Sequence, residues 1–147
     1  MKVNLIVVGK LKEKFLVDGV AEYLKRLKKF ATIEVREVPE CRTVDEEGQK
    51  ILSLVPKDSW LCVLDVAGEA LGSEDFAKKI AALALDGVSN LTFAIGGAFG
   101  LSEELRRAAA FRLSLSQMTF THQMARLILV EQIYRAFKIN RHEPYHW

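Results

Sequence analysis

Two stretches of this sequence carry residue types that suit a ligand site. In the first, Leu113 to Leu115 have the pattern of a buried strand end, Ser116 to Thr121 are too polar to continue it, and His122 begins a helical pattern. The second is the glycine-rich run Ile95-Gly96-Gly97-Ala98-Phe99-Gly100, which also follows an apolar segment. In α/β proteins, ligands bind beyond the carboxyl ends of strands, where loop backbone groups are free and a helix presents its N-terminus. We therefore expect both loops to line one pocket.

The elements that position these loops alternate regularly along the chain. Apolar runs predict buried strands at Val3 to Val8, Trp60 to Leu64, Leu91 to Ile95 and Phe111 to Leu115, and an outer strand at Thr32 to Val38. Helical patterns lie between the strands, with Thr43, Ser73 and Ser102 as N-terminal caps. The segment from Asp65 to Gly72 is expected to be a turn. This alternation predicts an α/β fold with a mostly parallel sheet and helices on both faces.

Length and composition predict one domain over residues 1–147, because 147 residues, half of them hydrophobic, can bury one good core. No apolar run approaches the roughly 20 residues that span a bilayer, and the N-terminus lacks the features of a signal peptide. We expect a cytoplasmic protein that does not bind membranes. Cys41 and Cys62 lie far apart in no metal-binding spacing, which favours reduced thiols and no metal site.

The last helical segment is apolar around much of its circumference. The residues responsible are Met124, Leu127, Ile128, Leu129, Val130, Ile133, Tyr134 and Phe137. A helix that is apolar on several faces needs more than one covering surface, which one sheet cannot supply. We therefore expect a partner subunit to cover the remainder.

Four blocks of sequence, taken together, resemble the ribosomal large subunit methyltransferase H family of the SPOUT class. They are Ile95 to Gly100, Leu113 to His122, Glu131 to Ala136 and Glu143 to His146. The resemblance covers the whole chain and is highly specific, although the glycine loop alone is not. It implies a C-terminal trefoil knot, which is a rare exception to the unthreaded connections of most folds. It also implies a homodimer that uses S-adenosylmethionine to methylate N3 of a pseudouridine in an interface hairpin of 23S rRNA, in the ribosome.

Site residues are also implied by position. The resemblance places the methyl donor against Leu64, Gly96, Gly97, Leu115, Ser116, Gln117, Met118, Thr119 and Phe120. A side chain at Gly97 is expected to intrude where the backbone must approach the donor. Family members often end in a basic residue, where this chain has Trp147. A contact from that basic residue to RNA phosphate would be missing here, although Trp147 offers a ring for base stacking.

The implied reaction requires a proton to leave the imide nitrogen of the target base, so a base or a hydrogen-bond donor must lie nearby. The candidates are His122, Arg126, Tyr145 and His146. His122 and Arg126 are four residues apart at a helix start and should share a face. Two structural alternatives remain open: His122 caps the helix or packs there, and Arg126 forms an ion pair across the dimer.

The last eight residues offer charge, hydrogen bonds and stacking faces to RNA. Arg141 and His142 are expected to contact RNA, together with Lys10 and Lys12, which follow the first strand. A disordered terminus and a solvated basic face are the alternatives. For the second basic cluster, residues 25–29, a solvated helix end is the preferred interpretation.

Two other functional classes are also compatible with parts of the sequence. A dinucleotide enzyme could use a glycine-rich turn, but the expected GxGxxG after the first strand is absent. A non-catalytic ribosome-binding module would need the basic clusters but no donor pocket.

Overall fold

The computed structural model describes residues 1–145 and contains one five-stranded sheet in which every neighbouring pair is parallel. The sheet order is β2-β1-β4-β3-β5. The strands are β1 (Lys2–Val8), β2 (Thr32–Val38), β3 (Trp60–Ala70), β4 (Asn90–Ile95) and β5 (Phe111–Ser114). The helices are α1 (Lys14–Leu27), α2 (Val44–Leu54), α3 (Ser73–Leu85), α4 (Glu103–Ala108) and α5 (His122–Asn140). This arrangement confirms the predicted α/β fold with a parallel sheet.

Two separate cores lie on the two faces of the sheet. On one face, Leu5 and Phe93 pack with Leu129 and the rest of the apolar side chains from α1, α3 and α5. On the other face, Ile6 packs with Ile51 and with residues from α2 and α4. Neighbouring residues such as Leu5 and Ile6 enter different cores because strand side chains alternate between faces. Both faces are covered, which explains why β1 is apolar almost throughout.

The expected turn after Leu64 is instead part of β3, which continues to Ala70. The pairing of β3 with β5 shifts register between Leu64 and Glu69, so this part of the strand is irregular. A Cβ at Gly68 would lie 2.5 Å from the Arg112 carbonyl oxygen, so a residue without a side chain permits the close approach. The glycine and the polar residues in this segment suggested a turn, but the pairing with β5 keeps it extended.

Two of the three predicted N-caps are confirmed. Thr43 Oγ1 accepts from the Glu46 amide at 3.1 Å, and Ser102 Oγ accepts from the Leu105 amide at 3.1 Å. The third was wrong, because Gly72 occupies the cap position of α3 and Ser73 is its first residue. The Ser73 hydroxyl instead donates to Gln132 Oε1 of α5 at 2.7 Å.

The long helix α5 lies against both α1 and α3 as well as the sheet. No residue of α5 is fully exposed, and Leu129, Val130 and Ile133 are completely buried. Five of the eight apolar residues named from the sequence are only partly buried: Met124, Leu127, Ile128, Tyr134 and Phe137. The two neighbouring helices cover part of α5, and the expectation that a partner subunit covers the remainder stays a prediction. Within residues 1–145, none of the helices has the length and apolar content needed to cross a membrane.

Candidate functional site

A cavity of about 980 Å³ opens at the carboxyl ends of β3, β4 and β5. Both loops chosen from the sequence contribute to its wall, together with the residues that precede α1. Among the expected donor-binding residues, those that line it are Leu64, Gly96, Gly97, Leu115, Ser116, Met118 and Phe120. Gln117 and Thr119 belong to the same loop but do not line the cavity. The parallel strands end at one edge of the sheet, which brings the two loops together as predicted.

The glycine loop between β4 and α4 closes on itself. The Gly100 amide donates to the Gly97 carbonyl at 3.1 Å, and Gly100 has a φ of 91°, which favours glycine. A Cβ on Gly96 would lie only 2.6 Å from the Gly100 carbonyl oxygen. The loop therefore needs Gly96 for its own compact shape, independent of any ligand.

The role expected for Gly97 needs a correction. A Cβ at this position would lie 2.9 Å from Glu47 Oε1 and 3.1 Å from a Val8 methyl, and neither residue lines the cavity. A side chain here would meet the structure beneath the loop rather than the donor. Glu47 is buried, and its Oε2 accepts from the Cys41 amide at 3.1 Å.

The loop between β5 and α5 is tightened by two serines. Ser114 Oγ donates to the Ser116 carbonyl at 3.0 Å, and Ser116 Oγ accepts from the Met118 amide at 3.0 Å. These bonds turn the chain directly after the strand, as serine side chains commonly do. Beyond the turn, the side chains of Met118 and Phe120 are exposed at the mouth of the cavity.

Asp65 and Arg106 form a charged pair in the wall of the cavity, which the sequence interpretation did not identify. The carboxylate of Asp65 accepts from Arg106 Nε at 3.1 Å, Arg112 Nη1 at 3.2 Å and the Ala67 amide at 3.0 Å. Burial by itself would raise the pKa of Asp65, but these three donors outweigh it and hold the pKa below its usual value. Asp65 and Arg106 both line the cavity, so they place charge in a mainly apolar site. The signal that could have revealed Asp65 is its position directly after the buried run ending at Leu64.

His122 begins α5 and lines the cavity, whereas the helix cap is Thr121, whose hydroxyl accepts from the Met124 amide at 3.1 Å. The capping alternative for His122 is therefore wrong. Its Nε2 is buried and has no hydrogen-bond partner among residues 1–145. The next residue, Gln123, accepts from the Lys12 amide at 3.1 Å and so ties the segment before α1 to the start of α5.

Arg126 does not share the cavity with His122, which corrects the expectation that both face RNA. Its side chain is buried, pairs with Glu37 at 3.1 Å and donates to the Gly9 carbonyl at 2.9 Å. Burial lowers the pKa of Arg126, and the ion pair with Glu37 offsets part of that effect. This ion pair joins α5 to β2 within one chain, not across a dimer.

The tail after α5 folds back onto its own chain. The Tyr145 hydroxyl lies 3.2 Å from Glu131 Oε1 and 3.3 Å from the Tyr23 hydroxyl, and its ring packs edge-on against Tyr134. Burial, together with the hydrogen bond to Tyr23, raises the pKa of Tyr145. Tyr145 does not line the cavity, and Glu131 lies nine residues beyond His122, about 14 Å along the helix. His146 and Trp147 lie outside the described residues.

The residues expected to contact RNA lie in two places. Lys12 lines the cavity and Lys10 does not, whereas Arg141 and His142 lie beyond the far end of α5. His142 has a φ of 57° and, with the Glu143 amide bonded to the Lys138 carbonyl at 3.0 Å, closes the helix end as a Schellman motif. The structure does not bring the tail residues and the two lysines together in one chain.

A parallel α/β sheet with a loop-lined cavity beyond its strand ends is the architecture of a cofactor-binding α/β enzyme. The family model described as "Predicted SPOUT methyltransferase" matches residues 1–146, and the chain belongs to this family. Within the described 1–145, no three side chains of histidine, cysteine, aspartate or glutamate come together as metal ligands.

Relatives with a stated role share nearly the whole chain. A protein of Halothermothrix orenii named "Ribosomal RNA large subunit methyltransferase H" is 48% identical over 99% of both chains. Proteins with the same name from Enterococcus faecalis and Clostridioides difficile are 44% and 47% identical, again over 99% of both chains. A solved structure of a probable methylase family protein from Haemophilus influenzae Rd KW20 is similar in fold, with a TM-score of 0.58 and 11% identity. That similarity covers 95% of this chain and 66% of the other.

Proposed function

We propose that the protein transfers a methyl group from S-adenosylmethionine to N3 of a pseudouridine in a 23S rRNA hairpin at the subunit interface, acting on assembled ribosomes in the cytoplasm. The observation that carries this proposal is the cavity that joins the two loops in a chain of the SPOUT methyltransferase family. Its volume, about 980 Å³, suits a cofactor with room for an incoming base. The relatives named as rRNA methyltransferases supply the substrate class.

In this proposal the donor binds to Leu64, Gly96, Gly97 and the segment from Leu115 to Phe120. The compact glycine loop presents backbone groups, and the serine-tightened loop closes the opposite wall. A sulfonium methyl group is already activated, so the protein contributes mainly by holding it in line with the attacking nitrogen.

His122 is proposed as the group that accepts the proton from the imide nitrogen of the target base. His122 lines the cavity, and its buried Nε2 has no partner in residues 1–145, so a turn of the ring would let this nitrogen accept a hydrogen bond from an incoming base. Arg126 is unsuited to this role because its guanidinium is already engaged by Glu37 and Gly9.

The tail residues Tyr145 and His146 are proposed to complete the site of a partner subunit in a homodimer. Tyr145 is held about 14 Å along α5 from the cavity of its own chain, which favours action on the other subunit. The cavity mouth supports a dimer, because Phe15, Val66, Met118 and Phe120 line it and are exposed. This rim extends the proposed interface, which includes the helix from His122 to Lys138 with its partly buried apolar residues.

The chain topology supports two further parts of the proposal. β5 lies at the sheet edge beside β3, yet α5 returns to contact both α1 and α3, as expected if the C-terminal segment is threaded into a trefoil knot. The five strands of one sheet are drawn from most of the chain, which supports a single domain over residues 1–147.

Three measurements test the proposal. Calorimetry with S-adenosylhomocysteine should show binding where NAD shows none, which separates it from a dinucleotide enzyme and from a non-catalytic ribosome-binding module. Mass mapping of rRNA from a deletion strain should show one pseudouridine without its methyl group. Absence of any missing rRNA methyl group would refute the assignment. Light scattering should give twice the 16.6 kDa chain mass.

The direction of tail action has its own test. A mixed dimer combines one subunit cut after Ile139 with one carrying His122→Ala. If the tail acts on the partner, the cut subunit's cavity receives an intact tail and one working site is formed. If it acts on its own chain, neither site is complete and the mixed dimer is inactive.

A further inference from the structure

The C-terminal ends of α1 and α5 form a basic surface that the proposed chemistry does not use. A hollow of about 250 Å³ there is lined by Arg26, Lys29, Phe30, Tyr134, Lys138, Arg141 and Glu143. We call these seven residues the basic hollow. Four are cations and one is a carboxylate, so the hollow is strongly positive. Its cations come from two segments more than a hundred residues apart in the chain.

Helix ends explain only part of this clustering. Lys and Arg near a helix C-terminus interact favourably with the helix dipole, which accounts for Arg26 and Lys138 in the last turns. Lys29, one residue past the cap of α1, and Arg141, the cap residue of α5, lie at the same helix ends, but the dipole of one helix does not explain why cations from both ends converge. The convergence of these two on one hollow needs another explanation.

The cations differ in how far they are neutralised. Arg26 pairs with Glu22 at 2.8 Å, and Lys138 pairs with Glu143 at 2.7 Å. Arg141 Nη1 lies 3.9 Å from Glu143 Oε1, and the Arg141 side chain is more than half exposed. Lys29 forms no ion pair with the rest of residues 1–145. Lys138, Arg141 and Lys29 all lower the pKa of Glu143, which shows that the local potential is positive. Lys29 and Arg141 are therefore the cations most available to an anion.

Aromatic rings hold the guanidinium groups in place. The Arg141 guanidinium lies 4.9 Å from the centre of the Phe30 ring, and the Arg26 guanidinium lies 5.7 Å from that of Tyr134. A stacked guanidinium keeps its N–H donors directed outward in the ring plane, where they can bond phosphate oxygens. The hollow thus presents oriented donors rather than freely moving charges.

The distance from the cavity limits what can bind both sites. On α5, the residues that line the cavity end at Ala125 and those that line the hollow begin at Tyr134, a separation of about 14 Å along the helix within one chain. A single nucleoside cannot reach both sites, but an RNA hairpin can. Tyr145, which the proposed dimer places at the partner's cavity, packs on the hollow residue Tyr134, so in the dimer the hollow lies beside that cavity.

We propose that the basic hollow, through Lys29 and Arg141, binds backbone phosphates of the substrate RNA at a second contact, outside the cavity that receives the target nucleotide. This inference rests on the proposed function, because it takes ribosomal RNA as the partner. The contact is to phosphate and carries no sequence information, so it fixes the orientation of the RNA and adds affinity.

The test compares two charge reversals of equal size. Lys29→Glu with Arg141→Glu alters the hollow, and Lys50→Glu with Lys57→Glu alters two exposed lysines at α2 and just beyond it, on the other face of the sheet. Binding to assembled ribosomes and to protein-free 23S rRNA is measured by filter retention over a range of salt concentrations. The hollow variant should bind at least about tenfold more weakly, and its salt slope should fall by about 1.4 to 1.8 for two lost phosphates. The matched control should change affinity by less than about twofold.

The outcomes separate this inference from the proposed function. Equal losses in both variants would overturn the second contact, since the effect would then follow net charge alone. Loss of binding to ribosomes with unchanged binding to protein-free rRNA would also overturn it, because the partner would be a ribosomal protein. Failure of the unaltered protein to methylate assembled ribosomes would instead refute the proposed function.

Folding of the variants is checked by S-adenosylhomocysteine affinity, which should be unchanged because no residue of the hollow lines the cavity. If the glutamate at the α5 cap lowers stability, the neutral pair Lys29→Gln and Arg141→Gln provides the same comparison. Its expected result is a smaller loss of RNA affinity in the same direction, and unchanged RNA affinity in a folded neutral pair would overturn the inference.

Discussion

The helices α1 and α5 present two chemically different ends. At the cavity end, apolar side chains surround a few charged groups, and Asp65 is already satisfied by two arginines. At the other end, cations outnumber carboxylates and aromatic rings orient them. The difference shows how one pair of helices can serve two tasks. A mainly apolar, enclosed site suits a small cofactor and a single base, whereas an open, positive surface suits an extended polyanion.

His122 at the cavity end of α5 and His142 at the opposite end provide the strongest test of the difference between the two ends. His122→Ala should lower kcat by about 100- to 10,000-fold, the usual range for a lost acid–base group, with donor affinity retained. His142→Asn, at the opposite end, should leave kcat nearly unchanged, because asparagine also tolerates the left-handed conformation of this position. Single-turnover methylation of ribosomes measures both. Equal rates for the two variants would remove His122 from the chemistry.

The glycine loop should show that the cavity end depends on backbone shape. Gly96→Ala would place a methyl group 2.6 Å from the Gly100 carbonyl oxygen and should cost about 1 to 3 kcal/mol of folding free energy, with weaker S-adenosylhomocysteine binding. Gly97→Ala meets a carboxylate oxygen at 2.9 Å, which can rotate, so its cost should be smaller. Gly72→Ala is the control, because no atom lies within 4 Å of the added group. Urea unfolding and calorimetry decide the order, and equal effects at all three positions would contradict it.

The ion pairs of Asp65 predict how the stability of the cavity end changes with pH. The lowered pKa of Asp65 means that its ion pairs stabilise the fold fully above the unfolded value of about 3.9, and that this stabilisation is lost as the pH falls through the folded value. Asp65→Asn should therefore lower the free energy of unfolding by about 1 to 2 kcal/mol at pH 7 and by less at pH 3. Thermal unfolding at both pH values measures the difference. A constant difference would indicate that the Asp65 charge makes no contribution.

At the C-terminal end of α5, a substitution in the tail should lower the free energy of unfolding by less than the changes at the cavity end. Tyr145→Phe removes the hydroxyl that bonds Glu131 and Tyr23, and should cost about 0.5 to 1 kcal/mol because the site is partly solvated. Tyr134→Phe is the matched control, because the Tyr134 ring packs there while its hydroxyl forms no hydrogen bond within residues 1–145. Equal stability of the two variants would show that the tail is not held by these hydrogen bonds.

Local sequence pattern determined the elements and the placement of the two loops. Four apolar runs and one alternating segment became the five strands, and Thr43 and Ser102 cap their helices as predicted. These features depend on neighbours a few residues away, so periodicity and capping chemistry suffice to find them. The shared pocket followed as well, because parallel strands bring their carboxyl ends to one edge.

The partners of the charged residues were decided only by the tertiary structure. Arg126 pairs with Glu37, Asp65 with Arg106 and Arg112, and Lys29 converges with Arg141, each across a separation that no local pattern records. These pairs follow from strand order and from the position of α5 against α1 and α3. For the same reason, the extension of β3 was missed. Hydrophobic pattern reports that a face is buried, but the strand order and helix packing decide what lies against it.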